Sequence, residues 1–222
     1  MALFRKKKVI CSIGVGTHEA LLALAKPGFA EYAGRHGYDL VFENRLLDGA
    51  RPAAWSKVLM IQRLMERYRT VVWIDCDALI VDQTVDVLEE VPRGATLGLV
   101  AHRTAEGDQI PNLGLLVVRS NREAKAFFSL LWQQTAFIHH KWWENGAALA
   151  LFGYTTEAPV ELITPSPWFR LVHFLDERWN SLSIHPVPHP RIVHFAGQSL
   201  EARLAGMGRL VAGGQRGFSS GH

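Results

Sequence analysis

VVWIDCDALIVD, running from Val71 to Asp82, sets two apolar runs on either side of a pair of aspartates. The first run has the length and β-branched content of a buried strand. An unpaired carboxylate is costly to bury, so Asp75 and Asp77 need a compensating partner. A strand alternates its side chains, so Asp75 and Asp77 point the same way while Cys76 points into the opposite layer. Two neighbouring carboxylates repel, and a hard divalent cation resolves that repulsion. The bland alternative is a pair of aspartates turning the chain after a strand.

Outward from this stretch, strands alternate with helices. Lys8–Val15 reads as a strand, Thr17–His36 as a helix interrupted near Pro27-Gly28 and closed by Gly37, and Tyr38–Glu43 as a second strand. Trp55–Tyr68 has helical spacing of apolar residues. Thr96–His102 and Leu113–Arg119 read as strands flanking a polar loop. Ser120-Asn121-Arg122-Glu123 has the form of a capping box opening a helix to about Ile138, and Trp142–Phe152 is a further helix stopped by Gly153. Prolines break up the chain beyond Gly153 into short strands, and Val193–Gly197 is the last apolar piece. This order predicts an α/β fold with a mostly parallel, Rossmann-like sheet flanked by helices.

We expect one domain over residues 1–205. Its nucleotide-binding half spans 8–102 and its sugar- and acceptor-binding half 103–205, with a glycine- and serine-rich flexible tail over 206–222. The chain has 222 residues, enough for one substantial core, and a net charge of +3. That mild charge suits an anionic small ligand and does not demand nucleic acid. The two cysteines, Cys11 and Cys76, lie in apolar runs as free thiols, and no CxxC pair offers a structural zinc site. No apolar run reaches the roughly 18 residues of a membrane span. The N-terminal apolar stretch is too short and too quickly followed by charge for an export signal, so the expected location is cytoplasmic. The Arg5-Lys6-Lys7-Lys8 cluster is either a solvated leader or a weak contact with the inner face of a membrane.

Several segments together resemble one family. Ala54-Trp55-Ser56-Lys57-Val58-Leu59, followed by Arg69-Thr70-Val71-Val72-Trp73-Ile74-Asp75-Cys76-Asp77-Ala78-Leu79-Ile80-Val81, is similar to the core of GT-A glycosyltransferases. More narrowly it resembles glycosyltransferase family 34, the galactosyl-, xylosyl- and mannosyltransferases. The likeness continues, in order, through Asn112–Ser120, Trp143-Glu144-Asn145, Arg178-Trp179-Asn180 and His194-Phe195-Ala196-Gly197.

The resemblance implies a GT-A fold and an enzyme moving a sugar from a UDP- or GDP-sugar to a glycan or other hydroxyl acceptor, with retention of anomeric configuration. It implies a divalent cation, Mn2+ or Mg2+, held by Asp77 and His194. Asp75 contacts the ribose or reaches the metal through water. Gly197 lets the backbone approach the diphosphate, and Lys57 lies near the donor. Asn112 and Gly114 fall beside the donor sugar, although Asn112 also reads as a turn residue. Asp108 is a weaker sugar contact. Glu144 and Asn145 stand where the family shows an acid followed by glutamine; Glu144 would bind sugar hydroxyls and Asn145 would approach the anomeric centre. The shorter amide is a departure that bears on donor and activity.

The residues add to this directly. Ser12, Gly14 and Thr17 end the first strand, where a glycine permits close approach and a hydroxyl bonds a base or ribose. Trp142, Trp143, Trp168 and Trp179 are dense enough for some to line an acceptor groove, with core packing as the alternative. A nucleotidyltransferase also places metal carboxylates on such a sheet, but Gly14-Val15-Gly16-Thr17-His18 lacks its basic loop. A non-catalytic sugar-nucleotide or glycan-binding module is the other alternative, and Asn145 is the feature that keeps it open.

Overall fold

The computed structural model describes residues 6–103 and 109–218. Its strands are β1 (Lys6–Ile13), β2 (Asp39–Glu43), β3 (Tyr68–Ile74), β4 (Ala78–Ile80), β5 (Leu97–Arg103), β6 (Gln109–Arg119), β7 (Val172–Leu175), β8 (Ser181–Leu182) and β9 (Ile192–His194). Its helices are α1 (Glu19–His36), α2 (Ser56–Met65), α3 (Arg122–Trp132), α4 (Trp143–Phe152) and α5 (Leu200–Phe218).

Six strands form the central sheet in the order β2-β1-β3-β6-β5-β7. All run one way except β6, which is antiparallel to both neighbours. The sheet is covered on both faces, which is why β1 and β3 are near-continuous apolar runs. Val9, Cys11, Val71 and Trp73 pack toward α2, α3 and α4, while Ile10, Val72 and Ile74 pack toward α1. A small second sheet, β4-β9-β8, lies on the α1 side.

The sequence expectations hold for this α/β architecture and differ in detail. Pro27 does not interrupt α1. It sits on the exposed face, and Leu21, Leu22, Ala25, Phe29, Tyr32 and Ala33 bury a stripe on both sides of it, so packing offsets the missing backbone bond. Gly37, with φ of 71°, closes the helix in the left-handed conformation. Asn121, not Ser120, caps α3 by accepting from the Ala124 N–H, and the helix ends at Trp132. Where the sequence predicts a flexible tail from residue 206, α5 continues to Phe218, and residues 219–222 lie outside the described residues. Its buried Met207 and half-buried Leu204 and Val211 join the core beside α1, an apolar spacing that the glycines obscure in the sequence. Among the described residues no helix is long and apolar enough to cross a membrane.

The largest difference concerns the opening motif. β3 ends at Ile74, and Asp75-Cys76-Asp77 form a turn in which the Ala78 N–H donates to the Asp75 carbonyl at 3.1 Å. The two aspartates therefore do not share a strand face. They occupy the crossing from the central sheet to the second one, and Cys76 between them is buried.

Candidate active site

Three pieces of backbone converge at that crossing. β4 pairs with β9 so that Ala78 faces His194, and the Phe195 N–H donates to the Asp77 carbonyl at 2.9 Å. This register carries a histidine more than a hundred residues downstream to the side of Asp77. His194 Nε2 lies 3.2 Å from Asp77 Oδ1 and 3.7 Å from Asp75 Oδ2. One donor atom from each of the three residues falls within 4.8 Å of the others.

The third piece is a bulge in β6. The β5–β6 register shifts between Leu99, opposite Leu116, and Val100, opposite Asn112. Leu113 and Gly114 thereby leave the β5 ladder, and their backbone groups need other partners. The site provides all four. The Leu113 N–H donates to Asn145 Oδ1 at 2.9 Å and the Gly114 N–H to Asn112 Oδ1 at 2.7 Å. The Leu113 carbonyl accepts from Lys57 Nζ at 3.3 Å, and the Gly114 carbonyl accepts from the Asp75 N–H at 2.8 Å.

A cavity of about 910 Å³ opens over this hub. Lys57, Asp75, Asp77, Asn112, Gly114, Glu144, Asn145, His194 and Gly197 all line it. Nine of the residues singled out in the sequence thus meet in one place. Ser12, Gly14 and Thr17 do not. Ser12 is fully enclosed, and Thr17 is exposed but does not line the cavity, although Val15 and His18 on either side of it do. A Cβ on Gly14 would lie 2.7 Å from the His18 carbonyl oxygen and 2.8 Å from Leu22 Cβ, so that glycine serves the start of α1. Asp108 lies outside the described residues.

Several of the roles differ from those the residue types implied. Lys57 is buried and spends its ammonium on Glu144 Oε1 at 2.8 Å, Asp75 Oδ1 at 3.1 Å and the Leu113 carbonyl. Burial alone would depress the Lys57 pKa, but the two carboxylates outweigh it and hold the ammonium charged. Asn145 has both ends of its amide engaged, since Nδ2 also donates to the Pro111 carbonyl at 3.3 Å. It clamps the bulge. Gly114 makes room for His194, whose Cε1 a Cβ there would meet at 2.3 Å. Gly197, at φ of 74°, leaves its backbone open to the cavity.

Electrostatics hold Asp77 in the ionised form that a cation needs, while without a cation they favour a proton on His194. Burial opposes ionisation of Asp77, but the hydrogen bond and charge of His194 and the charge of Arg203 win and bring its pKa down to about 2. Burial likewise opposes protonation of His194, and Asp77 and Asp75 outweigh it, raising the pKa. Glu144 goes the other way: its burial outweighs the lysine beside it and raises its pKa. Its Oε2 is buried with no hydrogen-bond partner among the described residues.

Four contributors escaped the sequence reading. Asn180 Oδ1 lies 2.8 Å from His194 Nδ1, and Asn180 Nδ2 donates to Asn112 Oδ1 at 2.9 Å. Asn180 Oδ1 would hold a proton on Nδ1, which leaves Nε2, the nitrogen beside the carboxylates, as the one that would bind a cation in place of its proton. The Arg178-Trp179-Asn180 segment carried that signal without a role. Trp73 donates from Nε1 to Asp75 Oδ1 at 2.6 Å. His102 lines the cavity with its pKa lowered by burial to about 4 and with no partner for Nε2 among the described residues. Arg203, from α5, reaches Asp77 Oδ2 at 3.1 Å, and no motif pointed to it. Of the tryptophans, Trp142 and Trp143 line the cavity, whereas Trp179 is buried in one core cluster and Trp168 packs against the other. Trp143 has φ of 42°, a costly conformation for a bulky side chain, and is 45% exposed at the rim.

Residues 15–145, more than half of the chain, match the galactosyl transferase GMA12/MNN10 family. The chain belongs to this family. Within the GMA12/MNN10 match fall Lys57, both aspartates, the β6 bulge and Glu144-Asn145; His194 and Arg203 lie beyond it. An uncharacterised α-1,2-galactosyltransferase of Schizosaccharomyces pombe is 30% identical over 83 residues, which are 34% of this chain and 22% of that protein. The chain thus spans about a fifth of that GMA12/MNN10-like relative.

Solved structures place the family member's fold. A glycosyltransferase involved in glycosylating the major capsid of PBCV-1 superposes with a TM-score of 0.66 at 15% identity, covering 92% of this chain and 99% of that one. The galactosyltransferase LgtC, in complex with donor and acceptor sugar analogues, gives 0.58 at 12% identity over 92% and 95%. Mouse xyloside xylosyltransferase 1 gives 0.53 at 12% identity over 86% and 98%. The fold is GT-A.

Proposed function

We propose that this chain transfers a sugar from a nucleotide diphosphate sugar to an acceptor hydroxyl, using a divalent cation. The observation that carries this reading is the Asp75–Asp77–His194 cluster on the floor of the cavity, with the imidazole held by Asn180 so that Nε2 faces the two carboxylates. Two carboxylates and one imidazole suit manganese better than calcium, with magnesium the alternative. When bound, the cation supplies Lewis-acid stabilisation of the charge on the departing nucleoside diphosphate.

The protein residues have separable tasks. Asp75, Asp77 and His194 hold the cation. The unpartnered Glu144 Oε2 accepts a hydroxyl of the donor sugar, which would satisfy a buried oxygen that otherwise has no partner. Lys57 pairs with both Asp75 and Glu144 and holds them against the bulge. Trp142 and Trp143 offer ring faces to sugar C–H groups at the cavity wall. Retention fits the site, because departure of the diphosphate on the face the acceptor approaches needs no protein nucleophile. The name of the S. pombe relative makes UDP-galactose the first donor to test.

The test is to incubate the protein with Mn2+ and a panel of nucleotide sugars, with and without candidate acceptors, and to assay released nucleoside diphosphate. Release with one donor, lost in Asp77→Ala, is the expected result. Pyrophosphate release from a nucleoside triphosphate plus a sugar phosphate would identify a nucleotidyltransferase instead. Donor binding without turnover, acceptors included, would identify a binding module. Unchanged Mn2+-dependent donor affinity in Asp77→Ala would overturn the metal assignment.

A further inference from the structure

Arg203 sets a positive charge against Asp77 that a metal site does not call for. Its Nη1 lies 3.1 Å from Asp77 Oδ2, on the side away from the oxygen that faces His194. Its Nε donates to the Gln198 carbonyl at 2.9 Å, and Nη1 also comes within 3.5 Å of His18 Nε2. The side chain is about one-fifth exposed, and that part lines the cavity beside Gly197. A guanidinium so placed repels any second cation approaching Asp77.

Counting charge with His194 neutral, as a metal ligand is, sharpens this. Asp75, Asp77 and Glu144 are the carboxylates of the cluster, and Lys57 and Arg203 offset two of the three charges. One net negative charge remains. A divalent cation overcompensates it and leaves a positive site that is largely out of water, where such an excess is expensive. An anion entering beside Arg203 removes the excess and gives the guanidinium a partner that it matches in geometry.

On the proposed reading of this site, we infer that Arg203 makes cation binding conditional on the diphosphate: it weakens the cluster's affinity for a free divalent cation and strengthens binding of the cation and nucleoside diphosphate together. Coupling of this kind is reciprocal, so each ligand raises the affinity for the other by the same factor. The cluster without Arg203 would carry two net negative charges, enough to hold a divalent cation unaided.

The experiment compares wild type, Arg203→Gln and Arg203→Lys. Mn2+ binding is read by electron paramagnetic resonance without nucleotide, and UDP and GDP binding by calorimetry at saturating Mn2+. Removing a unit charge this close is expected to tighten Mn2+ binding in Arg203→Gln by about tenfold. The same variant should bind the nucleoside diphosphate about tenfold more weakly. Arg203→Lys, which keeps the charge, should bind Mn2+ alone as weakly as wild type. A gain in metal affinity is not something that misfolding produces. Arg203→Gln binding Mn2+ no tighter than wild type, while Asp77→Ala abolishes that binding, overturns this inference and leaves the metal site standing. Mn2+ binding to neither protein, with or without nucleoside diphosphate, overturns the metal site and this inference together.

Discussion

Gly114 and His194 are packed so closely that residue 114 has no room for a side chain: a Cβ there would lie 2.3 Å from Cε1 and 2.6 Å from Nδ1 of the imidazole. The ring cannot retreat without breaking its bond to Asn180 or its approach to Asp77. Gly114→Ala is therefore expected to displace the imidazole. The loss in Mn2+ affinity should be tenfold or more, about what losing the partner that orients a metal-binding histidine costs. Titration of Mn2+ in the presence of UDP, alongside circular dichroism to establish the fold, checks this. Retained affinity in a folded variant would show that His194 is not a ligand.

Lys57 supports two buried carboxylates, so its removal is expected to be a stability event. Lys57→Met leaves Glu144 and Asp75 without their counter-ion and should cost about 3–5 kcal/mol. Adding Glu144→Gln to it removes one of the stranded charges and should recover part of that loss. Urea denaturation of wild type, both single variants and the double variant measures the coupling. Strict additivity would contradict the ion pair.

Asn145 stands where the family pattern has glutamine, and its amide is tied to backbone at both ends. Asn145→Ala should strand the Leu113 N–H at a cost of about 1–3 kcal/mol. Hydrogen exchange at Leu113 should quicken more than at Val117 or Val118, which stay in the ladder with β3 and β5. Equal protection at all three positions would show that the clamp is unimportant.

Acid sensitivity has an identifiable source away from the cavity. Asp86 Oδ2 accepts from Lys8 Nζ at 2.7 Å, and Oδ1 accepts from the Tyr38 hydroxyl and from the Leu88 N–H at 3.0 Å. Burial opposes ionisation of Asp86, yet these donors outweigh it and depress its pKa. A depressed native pKa means that the unfolded chain binds the proton more readily. The stability Asp86 contributes is then complete above its unfolded pKa, about 3.9, and is lost as pH falls through the lower native value. Asp86→Asn should be less stable than wild type at pH 7, by about 1–3 kcal/mol, and should lose less on going from pH 5 to pH 3. Parallel acid limbs in the two proteins would refute this.

The outline of the fold was legible because burial on both faces writes itself into composition. β1 and β3 are apolar throughout, and α2 and α3 show helical spacing, so their α/β order needs no long-range information. The resemblance likewise marked nine residues that meet in the cavity. Two local rules misled. Side-chain alternation does not carry across Asp75–Asp77, where the chain turns between sheets, and the glycines that suggest a flexible tail lie in α5, whose apolar stripe packs beside α1.

By itself, the sequence determined that an acidic pair ends a buried strand and so needs a partner. Only the tertiary structure decided which partners it has. The β4–β9 register places His194 beside Asp77, the β6 bulge ties Asn145 and Lys57 to one backbone hub, and α5 delivers Arg203. Those contacts cross from 32 to more than 100 residues. Spacing in a sequence reports only what lies a few residues away on one helix or strand, whereas strand register and helix docking are set by packing of the whole chain.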